Sequence, residues 1–260
     1  MKKQIDDWVV RENIKLNDHS LLLKLRLNRE LPEMIPGQFV QIRIDGAENV
    51  FLRRPISIHA VDKTARELHL LVQIVGRGTR KLLDLQVNDT VNLIYPLGNG
   101  FTISTDKNTS SKLLLIGGGI GVAPLLYLGQ TLKQQGFTPV YLLGVRSEKD
   151  LLQLAEFRKT GEVYVTTEDG SLGEKGYVTN HSVLQFSTID FIYTCGPQAM
   201  MLAVARFAKQ NAIPCEVSLE NRMACGIGAC LCCVEKTIQG NICVCTEGPV
   251  FNINDLSWQI

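Results

Sequence analysis

Six of the chain's eight cysteines fall between positions 225 and 245, and their spacing is one that proteins use to bind iron–sulfur clusters. Cys225-x4-Cys230-x2-Cys233 with a later cysteine is the plant-type pattern for a [2Fe–2S] cluster, whereas zinc ribbons use two C-x2-C pairs. The two glycines inside this loop would let the backbone bend sharply and direct N–H groups at sulfur. The spacing favours a [2Fe–2S] cluster over zinc or unligated thiols, and it leaves Cys243 and Cys245 as alternatives for the fourth ligand.

A glycine-rich turn is the second feature that could do chemistry. The segment 112-KLLLIGGGIGVAP-124 predicts a buried strand, a tight turn and a helix with Pro124 in its first turn. Backbone N–H groups and the helix dipole at such a turn can bind a pyrophosphate. Val122 replaces the third glycine of the dinucleotide fingerprint, so a purely structural turn is the alternative. The predicted nucleotide contacts are Gly117, Gly118, Gly119 and Gly121.

The segment 194-TCGPQAMM-201 repeats this arrangement of a strand, a loop and a helix. Open α/β sheets bind their ligands at the carboxyl ends of strands. We therefore expect Cys195 to face whatever ring is bound and Gly196 to contact the same ligand. A buried cysteine in a turn is the alternative interpretation.

Two arginines and a glycine-rich helix start form a further candidate phosphate site. The stretch 53-RRPISI-58 could present an arginine fork to a diphosphate, and 76-GRGT-79 could add backbone N–H groups. Surface arginines beside an edge strand are the alternative. Two phosphate sites in successive domains suggest two nucleotides that meet at a domain interface.

The elements that would position these residues change character along the chain. SLLLKLRL, GQFVQIRI, ELHLLVQIV and DTVNLIY alternate with period two and predict an antiparallel barrel of about six strands, interrupted by a helix in GTRKLLDL. From about residue 112, strands alternate with helices, which predicts a parallel sheet. The polar stretch FTISTDKNTSS links the two. We predict a multidomain β plus α/β protein with boundaries at 1–101, 102–218 and 219–260.

The overall composition excludes several classes of protein. The 260 residues include 27 basic and 26 acidic side chains, so no excess charge is available to bind nucleic acid or an anionic membrane. The chain shows no long apolar segment and no secretory leader, and we expect a cytoplasmic protein. The local clustering of cysteines favours metal binding over disulfides. The four histidines have no catalytic spacing.

Together these motifs resemble a known family. RPIS, GRGT, GGGIGVAPL and TCGP are shared across the ferredoxin–NADP reductase superfamily, while 220-ENRMACGIGACLCCV-234 with 244-VCTEGPVF-251 resembles the electron-transfer subunits of B-type dihydroorotate dehydrogenase. The resemblance implies a [2Fe–2S] cluster on Cys225, Cys230, Cys233 and Cys245, so it selects Cys245 over Cys243. It also implies an FAD site that comprises Arg54, Pro55, Ile56, Ser57, Leu71, Val72, Gln73, Gly78 and Thr79. Ile56 departs from the superfamily, which commonly has an aromatic residue there.

The resemblance implies a role in pyrimidine (UMP) biosynthesis. Electrons would arrive singly through the cluster from an FMN-containing catalytic subunit, collect on FAD and leave as hydride to NAD⁺, because a nicotinamide exchanges electron pairs and a [2Fe–2S] cluster carries one. Two catalytic and two electron-transfer subunits would form a heterotetramer. Arg146 and Ser147 could instead accept the 2′-phosphate of NADP, whereas Glu148 and Asp150 favour NAD.

Two alternatives stay open. The chain could be the FAD and [2Fe–2S] reductase subunit of another complex, such as a sulfhydrogenase or a bifurcating ferredoxin–NADP oxidoreductase. The bifurcating members of the superfamily have aspartate at the position of Cys225, which argues against a bifurcating enzyme. The other alternative is a zinc-stabilised adaptor that binds nucleotides without redox turnover. A visible spectrum would distinguish a flavin and iron–sulfur protein from a colourless zinc protein.

Overall fold

A computed structural model describes residues 2–103, 110–186 and 188–260 of the chain. The middle of the predicted link at 101–111 lies outside the described residues. The remaining chain forms a barrel, a mixed sheet with flanking helices and a two-stranded hairpin. The fold confirms the predicted combination of a β-barrel with an α/β nucleotide-binding domain.

Six antiparallel strands close the barrel in the order β1-β2-β5-β4-β3-β6. Their alternating side chains place one face inside, where Trp8 and Tyr95 are fully buried and meet edge to face at 4.9 Å between ring centroids. The barrel helix α1 follows β5 and continues into a 3₁₀ turn at Leu82–Asp84. The barrel elements are β1 Gln4–Asn17, β2 Ser20–Arg26, β3 Phe39–Ile42, β4 Arg54–Asp62, β5 Glu67–Gln73, α1 Arg77–Lys81 and β6 Thr90–Leu97.

The second domain is built on a seven-stranded sheet in the order β10-β9-β8-β7-β11-β12-β15. Its strands are parallel up to β12, and Pro124 lies in the first turn of α2 as the sequence predicts. The elements up to the end of this domain are β7 Leu113–Gly118, α2 Ala123–Gln134, β8 Val140–Val145, α3 Leu154–Thr160, β9 Glu162–Thr167, β10 Glu174–Lys175, α4 Val183–Phe186, β11 Phe191–Cys195, α5 Gln198–Gln210 and β12 Cys215–Ser218.

Residues 219–260, which we call the cysteine segment, pack against both preceding domains. Phe39 of the barrel shares a buried cluster with Cys233, Cys245 and Val217. The last strand of the segment pairs antiparallel with β12, so the sheet crosses the predicted boundary at 218, and the domain limits stay a prediction. The segment contains β13 Val234–Thr237, β14 Gly240–Cys243, α6 Val244–Glu247 and β15 Val250–Asn252.

No helix in the part of the chain that the structure describes is long and apolar enough to cross a membrane.

Candidate redox site

Arg54 and the start of helix α1 lie against each other at one end of the barrel. A Cβ added to Gly78 would come within 2.9 Å of Nε of Arg54, so the guanidinium lies directly over this glycine. Nη1 of Arg54 donates to the carbonyl of Leu52 at 2.7 Å, which holds the side chain beside the helix start. The hydroxyl of Thr79 accepts the Val75 N–H at 3.0 Å. The structure therefore brings together the arginine and the glycine turn that the sequence assigns to a diphosphate.

The predicted flavin-lining residues lie on two adjacent strands of the barrel. Ile56 is half-buried and packs against the barrel core. Its neighbours on β4, Pro55 and Ser57, are also half-buried. On β5, Val72 is buried inside that same core, so only its backbone is available to a ligand. Leu71 instead packs with Val122 and Ala123 of the second domain. This strand therefore forms part of the seam between the barrel and the glycine turn.

A cleft of about 910 Å³ opens between the barrel and the carboxyl ends of the parallel strands. Strands β7 and β11 are neighbours, with Gly117 opposite Cys195, so the two predicted nucleotide loops meet. A Cβ on Gly121 would come within 2.4 Å of Cα of Gly196, which shows that the two backbones touch. The cleft is lined by residues that include Gln73, Gly118, Gly119, Gly121 and Gly196. Its position at the ends of parallel strands and its size suit a dinucleotide.

Cys195 and Glu220 occupy different environments beside this cleft. Cys195 is only 1 % exposed, and burial, with the nearby charge of Glu220, raises the pKa of its thiol well above the usual range. Glu220 lines the cleft, and its side chain is exposed to solvent there, although many protein atoms lie close to its carboxyl group. This desolvation raises the pKa of the Glu220 carboxyl. The acidic group at the cleft is one that sequence reasoning missed, because no spacing connects Glu220 to the nucleotide motifs.

Arg146 and Glu168 also line the cleft. Their strands end side by side, because the Glu168 N–H donates to the Val145 carbonyl at 3.1 Å. Asp150 also lines the cleft, but its carboxylate already accepts the Ser147 N–H at 3.2 Å and hydroxyl at 3.1 Å. Sequence reasoning looked for an acidic residue after β8. Glu168 follows the neighbouring strand β9, so it was not found.

The four predicted cluster thiols are arranged in two pairs. The N–H of Cys245 donates to Sγ of Cys233 at 3.4 Å, and the thiols of Cys243 and Cys245 both lie close to that of Cys233. Burial, together with the Cys233 thiol, raises the pKa of Cys245 to about 12. Cys225 and Cys230 form the second pair. Burial opposes ionisation of Cys225, but hydrogen bonds from the Ile227 N–H and from Cys230 outweigh it and lower its pKa to about 6.

The arrangement of the thiols is compatible with a two-iron cluster. No group of three or more His, Cys, Asp or Glu side chains in the described ranges could hold a single metal ion. A [2Fe–2S] cluster instead needs two thiolates on each of two irons, which the pairs can provide. Gly226 and Gly228 have left-handed φ values of 70° and 91°, so the loop bends at both glycines as the sequence predicts.

The two unassigned cysteines of the segment differ in their surroundings. Cys232 is exposed. Cys243 is half-buried, and burial together with the neighbouring Cys233 thiol raises its pKa. Both Cys243 and Cys245 therefore lie near Cys233, although it is the Cys245 N–H that bonds to its sulfur. The choice of Cys245 as the fourth ligand stays a prediction.

Comparison with known proteins agrees with this architecture. Residues 220–257 match the family model for the iron–sulfur cluster binding domain of dihydroorotate dehydrogenase B, and residues 115–206 match that for the oxidoreductase NAD-binding domain. A solved structure, which concerns flavin-based electron bifurcation by an NADH-dependent reduced ferredoxin–NADP oxidoreductase, superimposes with a TM-score of 0.86 at 27 % identity. It covers 96 % of this chain and 90 % of the other.

Sequence relatives extend over the whole chain. The Shouchella clausii protein named "Dihydroorotate dehydrogenase B (NAD(+)), electron transfer subunit" is 36 % identical, with 98 % of each chain covered. The Fusobacterium nucleatum protein of the same name is 38 % identical and covers 97 % of this chain and 98 % of its own.

The fold and the site define an oxidoreductase component of the ferredoxin–NADP reductase type, with an α/β NAD-binding domain and an iron–sulfur binding segment. Within that class, the chain belongs to the family of the electron transfer subunit of dihydroorotate dehydrogenase B. The resemblance that the sequence motifs predicted is therefore confirmed.

Proposed function

We propose that this chain transfers electrons from a dihydroorotate-oxidising catalytic subunit through a [2Fe–2S] cluster and FAD to NAD⁺, in cytoplasmic pyrimidine (UMP) biosynthesis. The observation that carries this proposal is the packing of Cys233 and Cys245 against Phe39 of the same barrel that holds Arg54 beside Gly78. A one-electron site and a flavin-type site would thereby lie against the same barrel. The barrel residues His19, Ser20 and Gln73 line the dinucleotide cleft.

When bound, the cluster supplies one-electron transfer, and FAD couples it to hydride exchange with the nicotinamide. The chain's own residues bind and orient these groups. Arg54 would neutralise the diphosphate of FAD, and the backbone N–H groups of Gly78 and Thr79 would donate to its oxygens. Pro55, Ile56, Ser57, Leu71, Val72 and Gln73 would hold the flavin ring. Because Ile56 offers an aliphatic surface, contact with the ring there is by apolar packing and not by aromatic stacking.

The nucleotide cleft favours NAD over NADP. The glycine backbone at 117–121 and Gly196 bind the pyrophosphate end and the ring end of the dinucleotide. Glu168 at the cleft would accept hydrogen bonds from ribose hydroxyls and repel a 2′-phosphate. Arg146 alone would have the opposite effect, but Glu168 ends the neighbouring strand and offsets its charge. We therefore expect NADH to reduce the flavin much faster than NADPH.

The catalytic partner would be an FMN-containing subunit, in a heterotetramer of two catalytic and two electron-transfer chains. The cysteine segment exposes four large apolar side chains around the exposed Cys230, and such patches favour protein interfaces. These side chains are Ile227, Leu231, Val234 and Ile238. Docking on this patch would bring the partner's redox group close to the cluster while it excludes water.

The test uses the purified chain and its catalytic partner separately and mixed. We expect the chain alone to contain flavin and iron, to be reduced by NADH, and to lack dihydroorotate oxidation. Addition of the partner should produce dihydroorotate-dependent NAD⁺ reduction. A colourless zinc-containing protein, or full dihydroorotate oxidation without a partner, would contradict the proposal. Reduction of ferredoxin in place of coupling to dihydroorotate would indicate the bifurcating type of complex.

The nucleotide preference has a separate test. Removal of the negative charge in Glu168→Gln should lower the ratio of the NADH to the NADPH reduction rate about fivefold, which corresponds to about 1 kcal/mol. Glu162→Gln is the matched control, since Glu162 is exposed at the start of β9, the strand that ends before Glu168, and does not line the cleft. Equal reduction rates with NADH and NADPH in the unmodified protein would contradict the assignment to NAD.

A further inference from the structure

Gln41, in the middle of β3, has an amide group without a protein partner. Its side chain is fully buried, and neither Nε2 nor Oε1 forms a hydrogen bond within the part of the chain that the structure describes. A buried amide left unpaired is unfavourable, so such groups normally bind water, an ion or a ligand. The position of this amide indicates what its partner is.

Gln41 lies on the barrel face that meets the cysteine segment. Phe39, two residues earlier on the same face of the strand, packs in one cluster with Cys233 and Cys245. A Cβ added to Gly226 would come within 2.5 Å of Nε2 of Gln41, so the amide lies directly on the backbone of that glycine. Gly226 immediately follows Cys225, whose thiol belongs to one of the two pairs.

Strand β4, which carries RPIS, is a direct neighbour of β3. In the antiparallel register, Gln41 is opposite Pro55 of β4 and close to Ile94 of β6. Gln41 therefore lies beside the strand that carries RPIS, and its amide lies against the loop that carries the first cluster cysteine. A donor at this point can act on the group that passes electrons towards FAD.

We propose that the carboxamide of Gln41 donates an N–H hydrogen bond to a sulfur atom of the bound [2Fe–2S] cluster and thereby raises its reduction potential. The proposal rests on the proposed function, because it requires the cluster to be held by the thiol pairs. The physical reason is that reduction adds negative charge to the cluster, and an N–H dipole directed at sulfur stabilises the reduced form more than the oxidised form. Gln41 thus sets how readily the cluster takes an electron from the partner.

The bond also accounts for the glycine at position 226. A side chain there would meet the Gln41 amide, and the left-handed φ of 70° would add strain for any other residue. Gly226 thus allows the backbone of the cluster loop to approach the barrel closely enough for the amide to reach the cluster.

The main test compares Gln41→Met with the unmodified protein. Methionine has similar length and no N–H donor, so iron, sulfide and flavin contents should be retained. The midpoint potential of the cluster should shift to a more negative value, and the electron paramagnetic resonance (EPR) g-values of the reduced cluster should change. Gln38→Met is the matched control, because Gln38 is a buried glutamine of the same barrel region whose amide donates to the Gly98 carbonyl at 2.9 Å. It should leave the potential and the g-values unchanged.

A second measurement does not depend on the variant's folding. Protein labelled with ¹⁵N only at the glutamine side-chain amide should show a weak ¹⁵N coupling to the reduced cluster in pulsed EPR. The absence of this coupling, or an unchanged potential and EPR spectrum in Gln41→Met, would overturn the proposal and indicate that water satisfies the amide. Absence of a [2Fe–2S] cluster from the unmodified protein would instead contradict the proposed function, so the two failures are distinguishable.

Discussion

The barrel and the cysteine segment hold their structures in different ways. The barrel closes six strands around a dry core in which Trp8, Leu21, Leu23 and Tyr95 are fully buried. The cysteine segment has only a two-stranded hairpin, a one-turn helix and a three-residue strand, and several of its backbone positions have positive φ. Burial of apolar side chains is enough for the first region. We expect the second region to gain its remaining stability from the group that its thiols would bind.

The difference also separates the two kinds of function. Where the protein holds a nucleotide, it uses the backbone of glycine turns on rigid strands, so the site exists before the ligand binds. Where it holds the cluster, it uses side-chain sulfur on a loop, so the site is completed by the ligand. Four experiments test this contrast, in order of decreasing effect.

Replacement of a cluster ligand should have the largest effect, and it should be confined to the cysteine segment. Cys245→Ser should lower the iron content from about two atoms per chain to nearly none. Proteolysis should then cut the segment while the barrel stays resistant, because only the segment depends on the bound group. Iron and sulfide analysis with limited proteolysis measures both effects.

Two further serine variants complete that experiment. Cys232→Ser is the control and should keep the cluster, because Cys232 is exposed and belongs to neither thiol pair. Loss of iron in Cys243→Ser with retention in Cys245→Ser would show that Cys243 is the fourth ligand.

Removal of a barrel side chain should lower global stability without loss of cluster ligands. Trp8→Ala deletes a fully buried indole that contacts Tyr95, and the free energy of unfolding should fall by about 3–5 kcal/mol. Denaturant titration followed by far-UV circular dichroism measures this change. Trp258→Ala, in the half-buried end of the cysteine segment, should cost much less. A similar loss for both tryptophans would contradict the proposed contrast.

Acid should weaken the seam between the barrel and helix α2. His59 is fully buried and donates from Nδ1 to the Ala123 carbonyl at 2.8 Å, and burial lowers its pKa from 6.5 to about 4. Between these values the unfolded chain binds a proton that the folded chain does not. The free energy of unfolding should therefore fall as the pH drops from about 6.5 to about 4, by up to about 3 kcal/mol.

The variant His59→Gln isolates this contribution, because both proteins lose the other acid-sensitive interactions equally. Denaturant titrations at pH 7 and pH 4.5 should show a smaller loss of stability for the variant than for the unmodified protein. Equal losses in the two proteins would show that His59 is not the titrating group.

The smallest effect should come from a single methyl group in the nucleotide cleft. Gly121→Ala places a Cβ 2.4 Å from Cα of Gly196, so the two loops must separate, at a cost of about 1–3 kcal/mol in folding. Affinity for NADH should fall with it, as measured by titration of the flavin absorbance. Gly119→Ala is the control for strain without crowding, since its Cβ would meet no atom within 4 Å although φ is +54°. A larger effect at Gly119 than at Gly121 would contradict the close approach of the loops.

Much of the fold could be predicted because its signals are local. Period-two alternation predicted the barrel, and the glycine turn followed by Pro124 predicted the start of α2. The cysteine spacing likewise identified the cluster loop. Glu168, Glu220 and Gln41 carried no such signal, because each comes from an element distant in sequence from the motif that it approaches. Spacing also left Cys243 and Cys245 equivalent, and both lie near Cys233 in the fold.

The sequence by itself determined the local elements of this protein, because the order of apolar residues, glycines and cysteines controls backbone conformation and which face of a strand is buried. Only the tertiary structure decided which distant surfaces meet. It arranged four thiols from two stretches into two pairs, extended the α/β sheet with β15, and brought the Gln41 amide against Gly226. Such contacts depend on the register and packing of elements far apart in the chain, which no local pattern specifies.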